Sequence, residues 1–262
     1  KPVVLIGSTE HYGAVMNLDF DYIKYLDELA SYGLNITRTF SGIYVEPQGA
    51  FNISKNTLAP QQGRYICPWA RSKEPGYPGG GNKFDLTKWD PDYFARLKDF
   101  ISEAGKRNIV VELDLFSNFY DTIQWKLSPL YYSNNVNGFK PVKDHREVLS
   151  LRHPRLLKIQ EDMVKKILEE CNSFDNLYYE VCNEPYFGDK EALDAWEEHM
   201  TGIIEGIEKG LPRKHLISQN IENFSLKVEN PHPAVSIFNF HYAQPPVRVE
   251  MNYGLNKPVG DN

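Results

Sequence analysis

What this chain has little of narrows its function quickly. Its three cysteines, Cys67, Cys171 and Cys182, are widely spaced and form neither a CxxC pair nor a Cys/His ligand pattern. That excludes a zinc module or a disulfide framework as the organising principle. No stretch approaches the roughly 18 apolar residues that a membrane span needs. Basic blocks are missing as well, with 29 Lys+Arg against 35 Asp+Glu and a net charge of −6. This balance argues against nucleic acid or a membrane surface as partner and leaves a neutral or small ligand. His11, His145, His153 and His241 show no HxH or HExxH spacing, so neither a metal nor a cofactor is expected. The first turn, Gly7-Ser8-Thr9-Glu10-His11, lacks the glycine spacing of a dinucleotide site. Gly79-Gly80-Gly81 is not followed by Lys-Ser/Thr and reads as a flexible hinge in a surface loop, not a phosphate cradle.

What is present is an alternation of strand-length apolar runs with helical periodicity, the pattern of repeated βα units around a parallel sheet. Strands are expected at Val3 to Gly7, Ile36 to Phe40, Ile109 to Leu115, Leu177 to Val181, Leu216 to Gln219, Ser236 to His241 and from Lys257 onward. Helices are expected over Phe20 to Tyr32, from Asp90-Pro91-Asp92 to Arg107, over Arg155 to Cys171 and over Ala192 to Gly210. Asp90 followed by proline at the first helical position is a strong start signal. Two long segments, Ser41 to Lys88 and Ser117 to His153, look irregular and fall after the second and third strands. Seven strand starts in this order, at a length barrels routinely reach, predict one α/β domain over residues 1–262. The expected fold is a (β/α)8 TIM barrel with long loops after strands two and three, apparently truncated in strand seven. Lys1-Pro2-Val3 opens the chain without an initiator methionine, which suggests a removed leader or upstream domain and a secreted or periplasmic protein.

Leu177-Tyr178-Tyr179-Glu180-Val181-Cys182-Asn183-Glu184-Pro185-Tyr186 reads as a buried strand ending in Asn-Glu-Pro. It places Glu184 at a C-terminal strand tip, where barrel active sites form. Glu-Pro is also an ordinary way to leave a strand, since proline cannot continue the ladder. Arg38 inside the second strand would be costly without an acidic partner. Glu112 and Asp114 alternate along the third strand, share a face and need partners if that face is interior. His241 and Tyr242 form a donor-rich pair closing the sixth strand. Trp69, Tyr77, Trp125, Tyr131 and Tyr132 fall in the two irregular segments, where flat rings either stack on sugars or pack loops onto the barrel.

Asn183-Glu184 at the fourth strand, Arg38 in the second and His241-Tyr242 closing the sixth together resemble glycoside hydrolase clan A, the cellulase-like barrels of the family 5 type. The stretch from Asp85 to Phe94 is similar to the one leading into the second helix of many such enzymes, and the resemblance covers essentially the whole chain. It implies a retaining glycoside hydrolase acting on a poly- or oligosaccharide, with Glu184 as acid/base and Asn183 bonding the sugar 2-hydroxyl. Arg38 would orient the nucleophilic carboxylate, while His241, Tyr242, His11, Asp114 and Trp125 would bind or support the substrate. The matching nucleophile is a glutamate ending strand seven and is expected just beyond Asn262. Asp261 and Glu250, the latter placed in a loop, are weaker substitutes. Without the second carboxylate, the alternative is a non-catalytic carbohydrate-binding barrel. A barrel aldolase or isomerase would need a Schiff-base lysine or a late-strand phosphate site, and neither is seen.

Overall fold

The computed structural model describes residues 3–8, 11–221, 227–242 and 245–261. Seven parallel strands form one curled sheet in the order β1 (Gly7–Ser8), β2 (Ile36–Phe40), β5 (Val110–Ser117), β6 (Leu177–Asn183), β7 (Ile217–Ile221), β8 (Ile237–Phe240) and β9 (Val259–Asp261). The helices α1 (Tyr22–Ser31), α2 (Pro91–Lys106), α4 (Pro154–Cys171) and α5 (Lys190–Lys209) follow strands as crossovers. None of the described helices is long and apolar enough to cross a membrane.

Local sequence explains these elements. The Asp90 carboxylate caps α2 by accepting from the Asp92 and Tyr93 amides, with Pro91 pre-set for the first turn. In α4, Leu156, Met163, Val164, Ile167, Leu168 and Cys171 repeat at helical spacing and are buried, so one stripe covers the sheet. Every residue of β6 is buried, as a central parallel strand covered on both faces should be. Its register pairs Glu112 with Tyr178 and Asp114 with Glu180, while β2 pairs Arg38 with Glu112 and Phe40 with Asp114. Side chains paired in this way point to the same side of the sheet, so four ionisable groups, Arg38, Glu112, Asp114 and Glu180, are gathered on two adjacent levels of its concave interior.

Several expectations need correction. The first strand, expected over Val3 to Gly7, pairs only at Gly7–Ser8. The segment before it is held through Asn35, whose side chain takes the Ile6 amide and donates to the Val4 carbonyl, and Val3 to Ile6 keep exposed side chains. The segment from Ser41 to Lys88 contains an antiparallel hairpin, β3 (Trp69–Pro75) with β4 (Asn82–Trp89). Gly79-Gly80-Gly81 belongs to its turn, where Gly80 and Gly81 take φ of +90° and +86° and Gly80 N–H bonds the Tyr77 carbonyl, so the run closes a turn and is not a hinge. A short helix, α3 (Thr122–Leu127), interrupts the second irregular segment. Glu250 lies in a helix, α6 (Pro245–Asn252), not in a loop.

Candidate active site

The tip of β6 carries an unusual backbone. Glu184 has φ of +48°, in the left-handed region that non-glycine residues seldom occupy. Such a conformation costs about 1–3 kcal/mol and persists where the surroundings hold it. The Tyr186 amide bonds back to the Glu184 carbonyl at 2.7 Å, closing a tight turn around Pro185.

This turn directs the Glu184 carboxylate between two donors. Tyr120 O–H donates to Oε2 at 2.6 Å, and His241 Nδ1 lies 2.8 Å from Oε1. Asn183 Nδ2 donates to the Tyr120 hydroxyl at 3.0 Å and to Ser117 Oγ at 3.2 Å, which leaves the phenol proton directed at Glu184. Asn183 Oδ1 accepts from Arg38 Nη1 at 3.1 Å. Burial works to raise the Glu184 carboxyl. The bonds from His241 and Tyr120, with the charges of His241 and Arg38, outweigh it and hold Glu184 below the usual glutamate range.

Beneath this layer, Arg38 is almost completely buried and meets three carboxylates: Asp114 at 2.7 Å, Glu112 at 3.4 Å through Nε, and Glu180 in direct contact. Glu180 also accepts from Ser218 Oγ at 3.0 Å and Asn239 Nδ2 at 2.9 Å, while Glu112 accepts from Tyr178 O–H at 2.7 Å. Burial disfavours charge on all three, but only Glu180 has enough compensation from Arg38 and its other partners to be held down, at about 2. For Glu112, burial and the Glu180 charge prevail and push it up to about 8. Asp114 rises well above the carboxylate range, by burial first and then by the Glu180 and Glu112 charges, against the pull of Arg38. The charged centre of the cluster is therefore the Arg38–Glu180 ion pair, flanked by two carboxyls pushed toward the protonated form. Oxygens of the three acids lie within 4.8 Å of one another, a spacing a cation could use, yet the guanidinium already sits among them.

The structure thus brings together Glu184, Asn183, Arg38, Asp114 and His241. Tyr242 is adjacent to His241 but exposed, with ring centroids 6.4 Å apart. His11 is not drawn to Glu184; it packs against Phe20 and Tyr25 at 5.1 and 4.4 Å. Trp125 is fully buried, donates Nε1–H to the Val142 carbonyl at 2.9 Å and packs on Phe119 and Tyr131, so it has no face free for a sugar. Trp69 and Tyr77 are likewise buried loop-packing residues. Reading the sequence missed Tyr120 and Glu180. Tyr120 had no local signal, whereas Glu180 lies two residues from Tyr178 in the strand, in phase with the Arg38 face. Besides Tyr242, Phe51 and Phe187 are exposed rings at the rim, set edge-on to Tyr120 at 5.9 and 5.3 Å. A cavity of about 700 Å³ is lined by Pro185, Glu197, Gln219 and Asn220 among others, and Glu184 is not part of its lining.

A curled parallel β/α sheet with acidic and donor groups gathered at its C-terminal strand tips defines the class of (β/α)8 barrel enzymes. Solved structures agree on the fold. A protein of Bacteroides vulgatus ATCC 8482 assigned as a glycoside hydrolase matches with TM-score 0.65 and 16% identity over 98% of this chain, and this chain spans 43% of that one. An endo-1,4-β-D-mannanase of Thermotoga petrophila gives 0.60 and 15% over 98% of this chain and 78% of its own. Endo-glycoceramidase II of a Rhodococcus species gives 0.58 and 14% over 98% and 64%. No match was found among curated proteins. The profile of cellulase (glycosyl hydrolase family 5) matches residues 64–245, more than half of the sequence, and the chain belongs to that family.

Proposed function

We propose that the protein hydrolyses O-glycosidic bonds of a poly- or oligosaccharide with retention of configuration, Glu184 serving as acid/base. The observation that supports this most is the Glu184 carboxylate, held at a strand tip by Tyr120 and His241 directly above the Asn183–Arg38 pair. Asn183, its amide protons held by Tyr120 and Ser117, offers the second lone pair of Oδ1 to a sugar hydroxyl, and the exposed Phe51 and Phe187 rings offer apolar faces at the rim. Retention requires a second carboxylate about 5 Å away that attacks the sugar carbon while Glu184 protonates the departing oxygen. We assign it to the tip of β9: Phe240 pairs with Asp261, which sets that tip beside His241, already in contact with Glu184. The Asp261 side chain and Asn262 lie outside the described residues.

With its partners of the present site alone, Glu184 favours the ionised form, which suits the second step, where it draws a proton from water. The acid step needs the proton, and the approach of a second negative charge supplies the upward shift. Glu184→Gln should lower kcat/KM for oligosaccharides by about 10²–10⁴-fold, with a smaller loss in kcat/KM for aryl glycosides whose leaving group needs no proton. Equal loss on both would remove Glu184 from the acid role. Sugar binding with no turnover by the unaltered protein would favour the carbohydrate-binding alternative.

A further inference from the structure

The ladder between β6 and β7 is short. Its pairs are Tyr179 with Ile217 and Glu180 with Ser218, so the strands part before their tips. Beyond that point the Glu184 amide has no ladder carbonyl to bond, although it sits in a strained turn at the centre of the site. The Asn220 side chain fills this opening. Its Oδ1 accepts from the Glu184 N–H at 2.7 Å and, at 2.8 Å, from the Tyr186 O–H, whose one proton it shares with the Ile221 carbonyl at 3.0 Å, so both ends of the turn are gripped. Its Nδ2 donates to the Asn239 carbonyl at 3.0 Å, which fixes the amide so that the oxygen faces Glu184. Asn239 in turn donates to Glu180. Asn220 is buried and pairs with Asn239 in the β7–β8 register, so three strand tips are tied through one amide.

We propose that Asn220 is a positioning residue for the acid/base, clamping the Glu184 backbone in its left-handed conformation so that the carboxyl is aimed at the leaving-group oxygen. The proposal rests on Glu184 being the acid/base. Asn220 touches no reacting atom; it acts through the direction it gives Glu184. Removing it lets the turn relax toward ordinary backbone angles, and a displacement of about 1 Å in a proton donor is enough to cost about 10²-fold in rate.

The test is a leaving-group comparison on the full chain, using an oligosaccharide the protein turns over and the 2,4-dinitrophenyl glycoside of the same sugar. Asn220→Ala should lower kcat/KM on the oligosaccharide by about 10–100-fold and on the aryl glycoside by less than about 3-fold, because kcat/KM reads the step in which Glu184 acts as acid and not the later step in which it acts as base. Asn220→Asp retains both acceptor bonds but loses the donor to the Asn239 carbonyl, so it should recover part, not all, of the rate lost in Asn220→Ala. Its added negative charge beside Glu184 should move the alkaline limb of the kcat/KM profile upward, since that limb reports loss of the acid's proton. Equal losses on the two substrates, or none on either, would overturn the proposal. Glu184→Gln is run in parallel: if it fails to discriminate between leaving groups, the acid/base assignment falls and the role of Asn220 with it. If it discriminates and Asn220→Ala does not, only the role of Asn220 falls. Should Asn220→Ala not fold, Tyr186→Phe removes half of the clamp and must show the same leaving-group signature at smaller size; its absence would equally overturn the proposal.

Discussion

The two ends of the sheet solve the same problem, where to place polar groups, in opposite ways. At the end where the strands begin, side chains bond backbone. Asn176 Nδ2 donates to the Ile101 and Ile109 carbonyls, both at 3.0 Å, and Asn35 ties down Val4 and Ile6. Glu208 accepts from the His215 amide at 2.8 Å and His215 Nε2 faces the Phe174 carbonyl at 2.8 Å; the His215 Nδ1 contact with Glu208 at 2.6 Å is a side-chain pair among these backbone bonds. Toward the end where the strands finish, the Asn220 clamp still bonds backbone, but the charged and catalytic groups bond one another: Arg38 with three acids and Asn183, Tyr120 with Asn183 and Glu184, and Asn239 with Glu180. Local bonds to backbone fix the chain and can be lost singly. A shared network couples its members, so altering one changes the charge state of the others.

The strongest way to break the comparison is Glu180→Gln. It leaves the buried Arg38 without its ionised partner, a change that costs about 3–5 kcal/mol where nothing compensates. Here Asp114 and Glu112 are at hand, and once the Glu180 charge is gone the repulsion that kept them protonated falls, so one of them can ionise in its place. The expected loss is therefore near the lower figure, about 3 kcal/mol in chemical denaturation. A loss below about 1 kcal/mol would mean that Arg38 does not depend on Glu180.

That coupling also marks how far the sequence could be read. The bounds of β2 and the position of Glu184 at the tip of β6 follow from patterns a few residues long, and the structure places both where those patterns put them. The β3–β4 hairpin was hidden, because Trp69 to Pro75 lacks clean alternation. Its partner strand is held by the second irregular segment, with Phe84 N–H on the Asn134 carbonyl and Leu86 N–H on Asn137 Oδ1. Such contacts across about 50 residues leave no local mark. Glu180 was hidden differently: within a run of buried residues it reads as part of the strand, and its meaning depends on an arginine 142 positions away. The Tyr120 bond to Glu184 spans 64 positions and comes from a loop, so no periodicity could have announced it.

Asn176→Ala probes the opposite end. It removes two hydrogen bonds to backbone carbonyls and changes no charge, so about 1–2 kcal/mol of stability should be lost. Turnover at temperatures below the melt should stay at the parent value, since Asn176 belongs to the end that bonds backbone. A change in the pH profile of activity would show that the two ends are not separate.

The smallest expected effect sharpens the comparison most. Glu112→Gln replaces a buried carboxyl by an amide of the same shape, whose oxygen can still accept from Tyr178 and whose NH₂ can donate to Glu180 as the protonated acid does. At pH 5 the stability should therefore differ from the parent by less than about 1 kcal/mol. The parent has a further term. The Glu112 carboxyl is raised to about 8 in the folded chain from an ordinary 4.5. Between those values the folded state holds a proton that the unfolded chain has released. Stability from this group is thus fully present below pH 4.5 and is lost as pH rises toward 8, the reverse of an ion-paired carboxylate. Glu112→Gln removes that loss, so the variant should overtake the parent between pH 5 and pH 8, by on the order of 1 kcal/mol for each pH unit in which the proton difference is complete. Denaturation curves at the two pH values test this. Parallel losses at both would show that Glu112 is ionised and that the Arg38 cluster divides its charge in another way.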